Sequence, residues 1–353
     1  MNTIKLLLFV PLVLLASCIK ETDPVVTGLE RTWLLGNGVF IMNEGNFRSG
    51  NGSVSFFSYD SMKIYNSVFR EANDRPLGDV PYSMGFSDNK AYILVNNSNK
   101  IEVAGINTMK TVATIGKVVS PRYISFVSGK KAYVTSLYSD SLRIIDLLSE
   151  TATGYIPLKH TSESIASTSS NAYVASWSGG NSIFVIDIIN DKVTDSLEVG
   201  VEPESMVIDR NKTLWVLCNG GWKREHYAEL VAINTFTNAI IKRFTFPLIS
   251  DSPTCLQIDG TGQYLYYLHD GVRRMDINAA SLPSAVLIPQ SAYFFYRMGI
   301  NPYNGEIFVT DARDYIQKGV VLRYSPTGDF LSSMEADIIP GNMFFKSATY
   351  KSY

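Results

Sequence analysis

One short pattern recurs along the chain: an apolar strand built around an aromatic residue. It reads VFIM at 39–42, KAYILV at 90–95, KAYVTS at 131–136, NAYVAS at 171–176, TLWVLC at 213–218, YLYYL at 264–268 and EIFVTD at 306–311. The aromatic anchors are Phe40, Tyr92, Tyr133, Tyr173, Trp215, Tyr266 and Phe308, and successive anchors stand 40–52 residues apart. That spacing marks a solenoid, a propeller or an array. The segments are short, rich in Val, Ile and Tyr, and bounded by Gly, Asn, Asp and Ser, which are strand signals rather than helix signals.

Within one period four strands are readable. Between 201 and 246 they are VEPESMVID, NKTLWVLCN, ELVAINTF and AIIKRFTF, and the same quartet runs from Ser120. Four antiparallel strands per repeat make a propeller blade. The fold expected is therefore all-β, a seven-bladed β-propeller of four-stranded antiparallel blades. Most second strands follow a first strand of the type Pro-x-x-apolar, as in VPYSMGF, SPRYISF, EPESMVI and SPTCLQI. Phe40 has no such partner upstream, and the spare one, IPGNMFF at 339–345, sits near the C-terminus. The C-terminal strand is expected to complete the first blade, because an open ring would leave bare strand edges. The anchors are expected to pack between neighbouring sheets.

The first residues read as a targeting device. Lys5 and the apolar run 6–16 form a signal that is short for a membrane span, ending in Leu15-Ala16-Ser17-Cys18. The last four resemble a bacterial lipobox, which implies acylation at Cys18. Lys20-Glu21-Thr22-Asp23 resembles the surface-export signal of some Gram-negative lipoproteins. The expected division is a signal peptide at 1–17, the acylated Cys and a tether at 18–35, the propeller at 36–347 and a tail at 348–353. The expected location is the outer membrane, lipid-anchored and facing outward. In an oxidising compartment, Cys218 and Cys255 read as buried thiols, with a disulfide between them as the alternative.

A net charge of −2 and the lack of any basic stripe argue against a nucleic-acid partner. Three scattered histidines, His160, His226 and His269, compose no catalytic triad, and no metal set or catalytic cofactor is expected. The chain reads as a binding protein rather than an enzyme. Function is expected on the loops of one face. The end of each second strand and the start of each first strand share that face. The start positions are Tyr82, Arg122, Glu163, Glu204, Thr254, Tyr296 and Gly341, and they are expected to ring the channel mouth. Loops after the second strands add Asn43, Asn46, Phe47, Asn96, Asn97, Tyr138, Trp177, Asp311, Arg313 and Tyr315. A longer loop, GGWKREHY at 220–227, adds Trp222 and Tyr227. This mixture suits hydrogen bonding and stacking with a bulky neutral ligand.

KAYVTS and NAYVAS, followed by an Ile-Asp step, resemble the YVTN/YncE-type propeller repeat. VFIMNEGNF, LGDVPYSM, LVNNSNKI, NPYNGEIFVTDARDY, GVVLRYSPTGDF and IIPGNMFF together resemble BtuG-like surface lipoproteins, from about Gly36 to Lys346. That resemblance implies capture of cobalamin or another corrinoid and its delivery to a TonB-dependent, BtuB-like outer-membrane transporter. The other readings are a surface propeller that binds proteins and no small ligand, and a propeller hydrolase or lyase.

Overall fold

A computed structural model of the chain describes residues 32–347. The expected signal peptide, the expected lipidation site Cys18 and the expected tail at 348–353 lie outside the described residues. Those described form seven four-stranded antiparallel sheets, one short α-helix, Val68–Asn73, and two 3-10 turns, Thr32–Leu34 and Asn96–Ser98. Blades 2 to 7 each take four consecutive strands, starting at Pro81, Pro121, Ser162, Pro203, Thr254 and Phe295.

Blade 1 is closed as expected. The last strand, Pro340–Lys346, lies against Gly38–Asn43 with Phe40 opposite Phe344 and Ile41 opposite Met343. Residues 32–35, expected in the tether, already pack: Leu34 is buried and Trp33 stacks on Tyr65 at 4.0 Å. The two long spacings between anchors also have physical sources. After blade 1 the helix is inserted, and in blade 5 the loop 219–228 is extended.

All seven anchors are buried. Several also carry a polar tip that reaches the next blade. Tyr92 donates to Glu150 Oε1 at 3.1 Å, Tyr133 to Asp191 Oδ1, and Tyr173 to the Thr235 carbonyl at 2.9 Å. Each acceptor sits in or beside the turn between the third and fourth strands of the following blade. An aromatic body fills the gap between sheets while its hydroxyl fixes their stagger. Cys218 and Cys255 are free and buried, so the disulfide alternative is not realised, and burial pushes both thiols up.

Lys346 ends the closing strand and is 2% exposed. Its ammonium donates to the carbonyls of Leu34 and Gly36. Burial lowers its pKa from 10.5 to about 8, against the opposing pull of Asp60. Between those values the unfolded chain holds a proton that the folded chain has released, so folding gains stability as pH rises from about 8 toward 10.5. Urea midpoints for the wild type and Lys346→Met across that window check the sign. The wild type is expected to gain relative to the variant; parallel curves would refute it.

Candidate functional site

Every inner strand meets its neighbour through a register shift near its first residue: at Tyr82, at Arg122 and Tyr123, at Glu163 and Ser164, at Glu204, at Cys255 and Leu256, at Tyr296, and at Gly341 and Asn342. A bulge re-aims the side chain of the extra residue. In blade 6 the bulge falls on Cys255 rather than Thr254, which pairs normally with Leu268 and so is displaced from the expected ring by one residue.

The re-aimed side chains close on one another. Arg122 is bidentate to Glu163, with Nε to Oε2 at 2.7 Å and Nη2 to Oε1 at 2.6 Å, and its guanidinium lies 3.3 Å over the Tyr82 ring. Tyr82 donates to Glu163 Oε1 at 2.9 Å. Across the ring, Arg297 stands 3.7 Å from Glu204 and reaches the Tyr82 hydroxyl at 3.4 Å. Glu204 also accepts the Cys255 backbone N–H at 2.9 Å, and Tyr296 donates to Glu44 at 2.9 Å. Burial works against the Arg122 charge, yet Glu163 holds it above its ordinary value. Burial pushes the Tyr82 and Tyr123 phenols up, leaving them neutral. The channel mouth is therefore plugged by residues whose polar atoms are largely taken up by each other. Tyr82, Arg122 and Glu204 belong to this plug.

Beside the plug opens a cavity of about 750 Å³, between blades 5, 6 and 7 on the same face. That lies within the range of about 300–1,000 Å³ usual for small-molecule sites. Four expected residues line it: Trp222, Thr254, Tyr296 and Tyr315. Trp222 is 91% exposed, at the tip of the extended loop. Gly220 and Gly221 turn the chain there with φ of 84° and 92°, and a Cβ on Gly220 would meet the His226 carbonyl oxygen at 2.3 Å. Arg224 Nη1 donates to the Ser250 carbonyl at 2.9 Å, tying the loop to the connection between blades 5 and 6. Tyr315 packs edge-on against Tyr296 at 5.7 Å, and its carbonyl accepts from Asn46 Nδ2 at 2.7 Å.

Sequence reasoning missed Phe294, Gln290, Arg297 and the pair His269 and Asp251, all of which line this cavity. His269 Nε2 lies 3.2 Å from Asp251 Oδ1, and Asp251 Oδ2 accepts the Leu248 N–H at 2.9 Å. The aromatic run SAYFFY at 291–296 was the visible signal for Phe294. Other expected residues stand on the face outside the cavity. Phe47, Tyr138 and Tyr227 are exposed, Trp177 is half-buried, and the Arg313 N–H caps Asp311 at 2.7 Å. Asn43 is buried and bonds Ser53 and Ser55, Asn96 bonds the Pro121 carbonyl, and Asn97 bonds Asp79. Those three amides hold loops together.

The geometry defines a seven-bladed propeller with a plugged channel mouth and an off-centre, aromatic-walled pocket on the same face. The chain belongs to the family described as a domain of unknown function, DUF5074, whose model matches residues 37–337. Comparison with curated proteins gave no match. Among solved structures the chain is similar to a quinonprotein alcohol dehydrogenase-like protein from Bacteroides thetaiotaomicron VPI-5482, with TM-score 0.68, 16% identity, and 88% of this chain and 78% of that chain covered. It is also similar to the periplasmic gluconolactonase PpgL of Pseudomonas aeruginosa, with TM-score 0.68, 11% identity, and 89% and 100% covered. A functionally unknown protein from Desulfotomaculum acetoxidans DSM 771 aligns with TM-score 0.67, 13% identity, and 88% and 99% covered. At these identities the likeness concerns the fold alone.

Proposed function

We propose that this protein is a non-catalytic binding propeller that holds a bulky, amide-bearing ligand, a cobalamin or another corrinoid, against the pocket between blades 5 and 7. The observation that carries this reading is the pocket wall. Trp222, Phe294, Tyr296 and Tyr315 converge on one cavity with the polar groups of Gln290, Ser250 and Arg297 beside them. Aromatic faces stack on the apolar face of a corrin, and the polar groups meet its peripheral amides. The resemblance of NEGNF and DARDY to BtuG-like lipoproteins supports the same ligand class. On this reading Cys18 carries the lipid anchor at the outer membrane, and a TonB-dependent transporter receives the ligand.

Isothermal titration with cyanocobalamin and with cobinamide tests it. Trp222→Ala is expected to weaken binding by roughly 30-fold, the loss typical of an aromatic hot spot. No binding by the wild type, or tight binding untouched by Trp222→Ala and Phe294→Ala, would overturn the proposal. A second reading, a propeller hydrolase, is favoured by one observation: His269 and Asp251 form a pair within the same cavity. The name of the Pseudomonas neighbour, a gluconolactonase, makes a lactone the substrate to try. Lactone turnover that disappears in His269→Ala would replace binding by catalysis.

A further inference from the structure

Arg143 occupies the middle of the third strand of blade 3, Ser141–Asp146, between Val134 and Tyr155 on the flanking strands. The same register position is polar in three other blades, as Ser55, Glu102 and Arg273. Each of those has partners. Ser55 bonds Asn43 at 2.8 Å and Asn66 at 2.6 Å. Glu102 accepts from Arg75 at 2.9 Å, Lys100 at 2.5 Å and Thr114 at 3.0 Å. Arg273 donates to the carbonyls of His269 at 3.0 Å and Ser284 at 2.7 Å. Arg143 alone has nothing: its Nε is buried without a hydrogen-bond partner, and no ion pair or other hydrogen bond reaches it among the described residues.

A buried guanidinium donor without an acceptor is costly, and native structures satisfy nearly all such groups. Arg143 also lines a cleft of about 210 Å³, with Lys117, Thr135, Ser139, Ser141 and Tyr155 around it. No carboxylate lines the cleft; the neighbouring Asp140 accepts from Ser141 at 2.9 Å. Lys117 comes from the connection between blades 2 and 3, so the two cations reach the cleft from different blades. The Thr135 hydroxyl is taken up by the Tyr123 carbonyl and that of Ser141 by Asp140, which leaves Ser139 and Tyr155 as hydroxyl donors. Two cations and two hydroxyls with no carboxylate in the lining match an oxyanion that a guanidinium can grip with two donors.

We propose that this cleft binds a phosphate group, presented either as free phosphate or a small phosphate ester, or on a lipid headgroup. The site lies on blade 3 and is independent of the corrinoid reading. Isothermal titration of the whole protein with inorganic phosphate, against a chloride control of equal ionic strength, is the test. Wild-type binding is expected at a Kd of about 1 mM or tighter. Arg143→Gln is expected to weaken it at least tenfold, and exposed Lys117→Gln by a smaller factor, with the melting temperature of both unchanged or raised. Vesicles containing phosphatidic acid distinguish the sources. Retention of the wild type but not of Arg143→Gln assigns a lipid headgroup; phosphate binding in solution without retention assigns a free phosphate. Absence of both, or phosphate binding unaffected by both substitutions, overturns the proposal.

Discussion

Truncation before Pro340 is expected to abolish the native ring. The lost strand supplies the inner edge of blade 1, pairing from Gly38 opposite Lys346 to Asn43 opposite Pro340. It also covers blade 7, where Phe345 meets Phe308 edge-on at 5.7 Å. Backbone hydrogen bonds at about 1 kcal/mol each and three large apolar side chains at about 1.5–3 kcal/mol each sum to roughly 10 kcal/mol, comparable with the whole stability of a typical domain. The truncated chain is expected to lose its near-ultraviolet circular dichroism and to elute as aggregate. A soluble product with a cooperative melt within about 5 °C of the full chain would show that the ring does not depend on this strand.

The next largest effect is expected at the plug. Glu163→Ala leaves Arg122 buried without its anion and removes the acceptor of the Tyr82 hydroxyl. The side chains of Arg122 and Glu163 are only 11% and 4% exposed, so water replaces the lost carboxylate poorly. Breaking a buried pair from one side costs about 3–5 kcal/mol, whereas replacing both partners with apolar groups is often nearly neutral. Glu163→Ala should therefore lower the urea midpoint sharply, and the double variant Arg122→Met with Glu163→Met should recover most of the loss. A single variant within about 1 kcal/mol of wild type would mean the plug contributes little.

The ring was legible because its cause is local and repeated. An aromatic flanked by alternating apolar residues, a turn, and Pro before the next inner strand recur in most blades. The closing strand was legible for the same reason, since IPGNMFF repeats the first-strand pattern at the far end of the chain. The plug was not. Tyr82, Arg122, Glu163, Glu204 and Tyr296 were identified and Arg297 and Tyr123 were not; the mutual engagement of all of them depends on a bulge in each blade, and a one-residue offset at Cys255 moved blade 6 out of the pattern. The pocket was half legible. The long loop announced Trp222, and the strand ends announced Tyr296 and Tyr315. His269 and Asp251 come together only because the end of a second strand and an irregular connection fold toward each other. Nothing in the sequence distinguishes Arg143 from other strand residues, because its lack of a partner arises only from the fold.

The pairing of the propeller's first and last strands has a mechanical consequence. Gly38 and Lys346 face each other at the same tip of adjacent antiparallel strands. A load drawing the two ends apart would open that seam like a zip, one rung at a time, rather than straining all rungs together. Lys346 sits at the fork and grips the Leu34 and Gly36 carbonyls across it. The seam's first resistance to tearing is thus a single ammonium clasp.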